Sequence, residues 1–385
     1  MSSSPILVRA SPAQVRISHE RQLLEWGRGL GIDHFRAREE FLLTTGFGKA
    51  AQTWVLAPAA EPATLDFFCS CESWRRPVLF SPAGSGTVRR TVGYSIGSVF
   101  TPLEHRKKGY AQAMMTLLHD KLALPVGTEV AEVSFERATS TPYEEGNDAV
   151  VSFLYSDVGE FYSRCGSTPW LVQGVDKTTT WEVAELPELH GLQMGKPPAP
   201  LTAEDYDRIA TTDAAQLRAS LAKTTCTKPR FLAEPTAGTY AWLEGRAAFA
   251  FQVQGVATPA TWGFELPAAT PAAAAPDVCP SFIMFTIDPA RPGHAGELKV
   301  VRLHATSAKD GTALLLRTLA QAQAAGVGVV HGWNLDERAL RMLGMLGESL
   351  SGTTGPRTGS LSAVATYAGL GGEVEWVCNE GYAWC

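Results

Sequence analysis

The chain lacks the features that mark several functional classes. Its 385 residues include seven cysteines, an odd number, and no C-x-x-C pair. The two nearest, Cys69 and Cys71, would share one face of a strand. Reduced, buried thiols are therefore expected instead of a disulfide framework. The eight histidines fall into no H-x-H, H-x-x-x-H or H-E-x-x-H spacing, so no metal site is expected. No apolar run approaches the ~20 residues that cross a bilayer. The opening "MSSSPILVRASPAQV" has no apolar core of the signal-peptide kind. A cationic excess is missing too. With 33 Lys and Arg against 39 Asp and Glu, the net charge of −6 is unlike the footprint of a nucleic-acid binder. The expectation is a soluble, cytoplasmic protein with no membrane or nucleic-acid partner.

What is present suits a core-forming globular protein, with 45% hydrophobic and 19% charged residues. At roughly 100–200 residues per domain, the length allows two or three domains. Residues 19–28 suit a helix, and 53–58, 64–80 and 89–101 suit strands. After Gly109, the positions Ala111, Met114, Met115, Leu118 and Leu122 make one face of a helix. Residues 125–148 read as a long polar loop. A strand over 149–157 and a short helix over 157–166 follow, with Asp157 as N-cap and Gly166 as the stop. Another strand is expected over 178–186. This alternation predicts an α/β domain. The Pro- and Gly-rich tract 186–201 places a boundary near residue 190, dividing the chain into 1–190 and 191–385. In the second part, 269–280 reads as a surface loop, and 297–346 repeats the order strand, helix, strand, helix. The closing "EVEWVCNEGYAWC" is apolar and aromatic, which predicts a docked chain end.

One stretch carries most of the chemistry. In "SVFTPLEHRKKGYAQAMMTLLH", residues 98–119, a strand-like run meets Pro102, then Arg106, Lys107 and Lys108 crowd together before Gly109 and a helix. The free amides of a first helical turn add positive potential at the same place. Gly109 admits close backbone approach, and Ala111 keeps the next contact small. Together these suit a pyrophosphate. From charge and glycine alone, a solvated basic turn before a helix reads equally well.

The spacing Arg106-x-x-Gly109-x-Ala111 matches the R/Q-x-x-G-x-G/A loop of the GNAT acetyltransferase superfamily, and it lies between a strand and a helix. "FYSRCG" places Tyr162 four residues before Gly166, a second mark of that superfamily. The two marks cover about residues 15–185. Wider wording, "SCESWRRPVL", "LYSDVGEFYSRCG" and "NEGYAWC", resembles the fungal lysine N6-acetyltransferases of lysine catabolism. Ser167 departs from the aromatic residue usual after that glycine. The resemblance implies a GNAT-like mixed, splayed central sheet flanked by helices, with acetyl-CoA as co-substrate and a small amine as acceptor. It assigns Arg106, Lys107, Lys108, Gly109, Tyr110 and Ala111 to the cofactor loop. The main chain of Val99, Phe100 and Thr101 is assigned to the thioester carbonyl, and Tyr162 to the departing thiolate. A partly buried core tyrosine is the plain structural alternative for Tyr162.

An ammonium near pKa 10 must lose its proton before it attacks. Glu72, near Cys71 and Trp74, is one candidate base if apolar neighbours raise its carboxylate pKa, and an exposed strand carboxylate reads equally well. Glu136 and the α-carboxylate of Cys385 are others, and Glu104 reads as a local partner of the loop cations. Arg75 and Arg76 are candidates to hold an amino-acid carboxylate. In the second part, "AKDGTA" (308–313) occupies the slot of "RKKGYA", but Ala308 replaces the arginine and Asp310 puts a negative charge where phosphates would sit. The expectation is a second, degenerate GNAT-like α/β domain that walls the amine pocket. Acetylation of the side-chain amine of free lysine or a close analogue is the leading reading. Polyamine or xenobiotic-amine acetylation and a non-catalytic acyl-CoA sensor are the alternatives.

Overall fold

The computed structural model describes residues 4–135, 146–166, 170–172, 176–189, 195, 197–223, 226–266, 278–368, 370 and 373–384. In chain order the strands are β1 (Pro5–Arg9), β2 (Ala51–Pro58), β3 (Cys69–Ser81), β4 (Arg89–Phe100), β5 (Ala149–Ser156), β6 (Leu171–Val172), β7 (Lys177–Glu182) and β8 (Ala199–Pro200). They continue as β9 (Arg230–Ala233), β10 (Gly263–Glu265), β11 (Phe282–Asp288), β12 (Glu297–His304), β13 (Val329–Trp333), β14 (Thr353–Pro356), β15 (Leu361–Thr366) and β16 (Glu375–Trp376). The helices are α1 (Pro12–Trp26), α2 (Ile32–Thr44), α3 (Tyr110–Leu122), α4 (Tyr206–Lys223), α5 (Ala237–Gln254), α6 (Ala308–Ala324) and α7 (Glu337–Met345). None of the described helices is long and apolar enough to cross a membrane.

Two open, mixed sheets result. The first runs β1-β2-β3-β4-β5-β15-β6, with β9 sharing the β2 edge of β3 and β16 beside β9. The second runs β14-β7-β13-β12-β11-β10-β8. Each sheet has one central parallel pair, β4 with β5 and β12 with β13. The helix between the paired strands supplies the crossover that a parallel pair needs. In α3, Met114, Met115, Leu118 and Leu122 are fully buried, the stripe expected from their spacing. Each such side chain contributes roughly 1.5–3 kcal/mol on transfer from water. In the second half, α6 and α7 pack on the other sheet through Leu314, Leu315, Leu319 and Leu343.

The sheets do not follow the expected division near residue 190. Strand β7 leaves the first half to pair with β13 and β14, and β15 returns from the far end of the chain to pair with β5 and β6. Strand patterning marks a strand but not its partner, so the exchange is invisible locally. A third core lies between the sheets, where Trp74, Phe153, Phe231, Trp242 and Trp376 meet Tyr382 and Ala383 of the chain end. The Tyr382 hydroxyl donates to the Ala233 carbonyl at 2.6 Å, and Arg76 donates to the Ala383 carbonyl at 2.7 Å.

Two local expectations are corrected. The helix expected over 157–166 is one 3-10 turn, Phe161–Arg164. Asp157 is not its cap; its carboxylate accepts the Ser360 amide at 2.6 Å, across to the segment that enters β15. Cys69 and Cys71 are free and buried, as their shared strand face implies. Most of the expected loop 269–280, part of the 125–148 loop and part of the 186–201 tract lie outside the described residues.

Candidate active site

The basic loop sits where strand β4 hands over to α3. Gly109 starts the helix in the left-handed region, at φ 80°, and a Cβ built on it would meet nothing within 4 Å. Space is therefore open in front of the helix. No side chain caps it, and the amides of residues 107–112 find no acceptor among the described residues. Unpaired amides converging on open space are the arrangement that suits a pyrophosphate. The cations divide. Lys107 and Lys108 are exposed and make no ion pair among the described residues. Arg106 instead donates to the Thr101 carbonyl at 3.0 Å and to Glu25 of α1 at 2.9 Å, bracing the loop from behind. Glu104 is thus not the partner of these cations; its side chain lies with Asp66 and His105. Tyr110 stacks on Phe68 with centroids 4.3 Å apart, and Ala111 packs on the α3 core.

Strand β4 opens just before this loop. Its parallel pairing with β5 ends at Ile96 and Leu154. On the β3 side the register shifts, with Glu72 opposite Gly97 and Ser70 opposite Phe100, so β4 carries an extra residue there. Ser98 absorbs the bulge at φ 53°, a conformation uncommon for a non-glycine residue. Main-chain groups on the β5 side are thereby released from the ladder. The opening faces a cavity of ≈990 Å³ through Ile96, Gly97, Ser98 and Val99. The Phe100 side chain turns into the core, and the Thr101 hydroxyl donates to Cys69 at 3.3 Å. Of the residues whose main chain is expected to bind the carbonyl, Val99 lines the cavity, together with Gly97 and Ser98. A glycine inside a strand pattern was the available signal, because it often marks a bulge.

The same cavity is lined by Tyr162 and Glu72 from the first half, and by Arg246, Lys299, Trp333 and Trp384 from the second. Tyr162 is 8% exposed, and its hydroxyl has no hydrogen-bond partner among the described residues. Burial pushes its pKa well above the usual value, so it is a proton-bearing donor at neutral pH. Glu72 is where the sequence places it, but its ionisation is opposite to expectation. Burial alone would raise its pKa. Hydrogen bonds from His19 and Ser98, with the charges of His19 and Arg246, outweigh that and lower it. His19, on α1, stands 3.4 Å from the Glu72 carboxylate, and its own pKa is raised by that contact against the effect of burial. The two form a buried pair in which each favours the charged form of the other.

Arg75 and Arg76 do not enter the cavity. Arg75 pairs with Asp148 at 2.8 Å, and Arg76 is buried against the chain end. Sequence reasoning missed His19, Arg246 and Lys299. Helix α1 is more than two hundred residues from α5 and β12, and only packing brings the three side chains to one cavity. Burial lowers the Lys299 pKa to about 7. Glu136, Ser167 and Cys385 lie outside the described residues. Two groups with metal-ligand side chains also come together, Asp66 with Glu104 and His105, and Asp213 with Cys279 and His304. In the second, the Asp213 carboxylate already accepts hydrogen bonds from Arg302 at 2.6 and 2.8 Å.

The slot in the second half is built differently. Ser307 caps α6 by accepting the Asp310 amide at 3.1 Å. Gly311 is buried, and a Cβ there would come 2.8 Å from the Ala339 Cβ on α7. The space left open at Gly109 is filled here by protein.

Residues 184–385 match the family model described as the LYC1 GNAT-like C-terminal domain. A Yarrowia lipolytica protein named lysine acetyltransferase is 34% identical over 158 residues, which cover 40% of this chain and 38% of that protein. Among solved structures, a GCN5-related N-acetyltransferase of Anabaena variabilis aligns with a TM-score of 0.53 at 13% identity, covering 94% of this chain and 73% of that one. A protein of Enterococcus faecalis, titled a probable N-acyltransferase, aligns at 0.52 and 10%, covering 95% and 73%. At these identities the likeness is one of fold, and it extends over both sheets.

Proposed function

Because the chain belongs to the family of the LYC1 GNAT-like C-terminal domain, we propose that it transfers the acetyl group of acetyl-CoA to the primary amine of a small molecule, with free lysine or a close analogue as the first acceptor. The observation that carries this reading is one cavity shared by the opened end of β4, the unpartnered Tyr162 hydroxyl and a wall from the second sheet. The relative named lysine acetyltransferase supports lysine as acceptor.

Acetyl-CoA supplies an activated thioester. The amides ahead of α3, with Lys107, Lys108 and the open face of Gly109, are suited to hold its pyrophosphate. Main-chain N–H groups at residues 97–99, freed by the end of pairing, can polarise the thioester carbonyl. Tyr162 donates a hydrogen bond to the sulfur as the C–S bond breaks and the C–N bond forms. The amine must arrive neutral. Burial pushes the Lys299 ammonium on the cavity wall down to about 7. Burial and nearby arginines would depress an incoming ammonium in the same direction. Glu72, ionised by its contact with His19, is suited to draw the ammonium in and take up its proton.

Thiol release from acetyl-CoA, measured against a panel of lysine, ornithine, polyamines and arylalkylamines, tests the reading. Release with lysine is the expected result. Release confined to polyamines or arylalkylamines would move the acceptor class. Acetyl-CoA binding without release for any amine would leave an acyl-CoA sensor.

A further inference from the structure

Charges along the cavity are unevenly matched. Every carboxylate on its lining has a partner. Glu39 accepts two hydrogen bonds from Arg38, at 2.8 and 2.5 Å. Glu72 pairs with His19. Asp288 is held by Arg28 and Arg291, Glu297 by Arg28, and Asp157 by the Ser360 amide. Two basic side chains are not matched in this way, Arg246 and Lys299; burial leaves Lys299 only partly charged near neutral pH, and an anion beside it would restore its charge. Arg246, on α5, donates no hydrogen bond among the described residues. Its one ion pair, to Glu39, is 3.8 Å long, and that carboxylate is already taken by Arg38. Lys299, on β12, has neither a hydrogen bond nor an ion pair among the described residues. Both touch the same ring: the Arg246 guanidinium carbon lies 5.3 Å from the centroid of Trp384, and the Lys299 ammonium 5.2 Å from it. Trp242 and Trp333 complete the surround, at 5.6 Å from Arg246 and 3.5 Å from Lys299.

A guanidinium carries five donors in a planar fork that matches a carboxylate. Donors that line a cavity and have no protein acceptor are free to bind an incoming anion. The tryptophan rings offer an apolar wall for a methylene chain. Resting on the acetyltransferase reading above, we propose that Arg246 and Lys299 form the carboxylate subsite of this cavity, so that the acceptor is an amino acid instead of a simple amine or polyamine. The acceptor's carboxylate meets the end of the cavity that these two side chains and Trp384 line, and its amine extends toward the opening of β4. A polyamine would bring a second ammonium to this site and meet like charge.

The test compares L-lysine with cadaverine, which has the same amine and chain length but no carboxylate. Wild-type protein should prefer lysine in kcat/KM on the order of 10²-fold, since a site with hydrogen-bond donors rejects an analogue lacking the acceptor. Arg246→Gln should lower that preference at least about tenfold, and Arg246→Lys should recover part of it. Thermal unfolding and acetyl-CoA affinity confirm that each variant is folded. If Arg246→Gln does not fold, Lys299→Met, which breaks no ion pair, reads the same ratio. An unchanged lysine-to-cadaverine ratio in folded Arg246→Gln or Lys299→Met overturns the subsite. If neither amine supports thiol release, it is the acetyltransferase reading that has failed. Calorimetric titration of both amines into CoA-saturated protein then decides the subsite. Tighter lysine binding that is lost in Arg246→Gln upholds it, and equal binding, or none, overturns it.

Discussion

Tyr162 combines a buried ring with a hydroxyl that has no partner among the described residues, on a residue that lines the cavity. Tyr162→Phe keeps the ring and its contacts with Phe161 and Trp170, and removes only the donor. Acetyl-CoA affinity should stay within about twofold, while kcat falls by ~10²–10⁴, the range typical of a general acid. Steady-state kinetics beside a direct binding measurement separate the two. Weakened binding with kcat intact would show that the ring packs on the cofactor and donates nothing. This residue was legible because a tyrosine four positions before a glycine is a local spacing. Glu72 was legible as a position but not as a charge state. Its ionisation is set by His19, fifty-three positions earlier, and by Arg246, far later, so a reading based on its apolar sequence neighbours gave the wrong sign. Arg75 and Arg76 failed for the same reason, since Asp148 and the Ala383 carbonyl claim them from distant parts of the chain.

Two helix starts with the same small-residue spacing have opposite surroundings, and the difference is measurable. Gly109 faces open space at φ 80°, whereas Gly311 is wedged against Ala339. Gly109→Val should weaken acetyl-CoA binding at least about tenfold, because the side chain would stand where the pyrophosphate approaches. Its effect on the melting temperature should be limited to the strain of a β-branched residue at positive φ. Gly311→Val should do the reverse, lowering stability by about 1–3 kcal/mol through overpacking while leaving acetyl-CoA affinity alone. Ligand titration and thermal melts on both variants check the pair, and equal acetyl-CoA affinity in Gly109→Val and wild type would remove the loop assignment. Elements with clean periodicity, such as α3, α6, β4, β5 and β12, were readable from the sequence. Helix α5 was not. It is flanked by α2, α4 and β11, so its apolar residues occupy most of its circumference and leave no single stripe. Strand β9, at four residues, is too short for alternation to show.

At the level of the whole molecule, the chain end holds the sheets together. Glu380 accepts from Arg302 at 2.6 Å and from the Leu303 amide at 2.9 Å, and Tyr382 is fully buried. Deleting residues 380–385 would strip a buried arginine of one partner, a change that costs about 3–5 kcal/mol. The melting temperature should fall by on the order of 10 °C, in one transition, because the exchanged strands couple the two halves. Separate transitions, or an unchanged melt, would show that the tail is not a structural link. The docked end was legible in its aromatic composition, whereas the exchange of β7 and β15 was not, since pairing partners leave no mark on a strand's own sequence. That exchange also has a consequence in time. Strand β5 ends at Ser156, yet β15, the strand that covers its edge, begins only at Leu361. At ~5–20 residues per second on the ribosome, that edge waits about 10–40 s for its partner. A bare edge is a template for wrong pairing. The first sheet, and with it one wall of the cavity, cannot be completed until β15 has been made, so expression of this protein should be sensitive to translation speed and to the chaperones that meet the nascent chain.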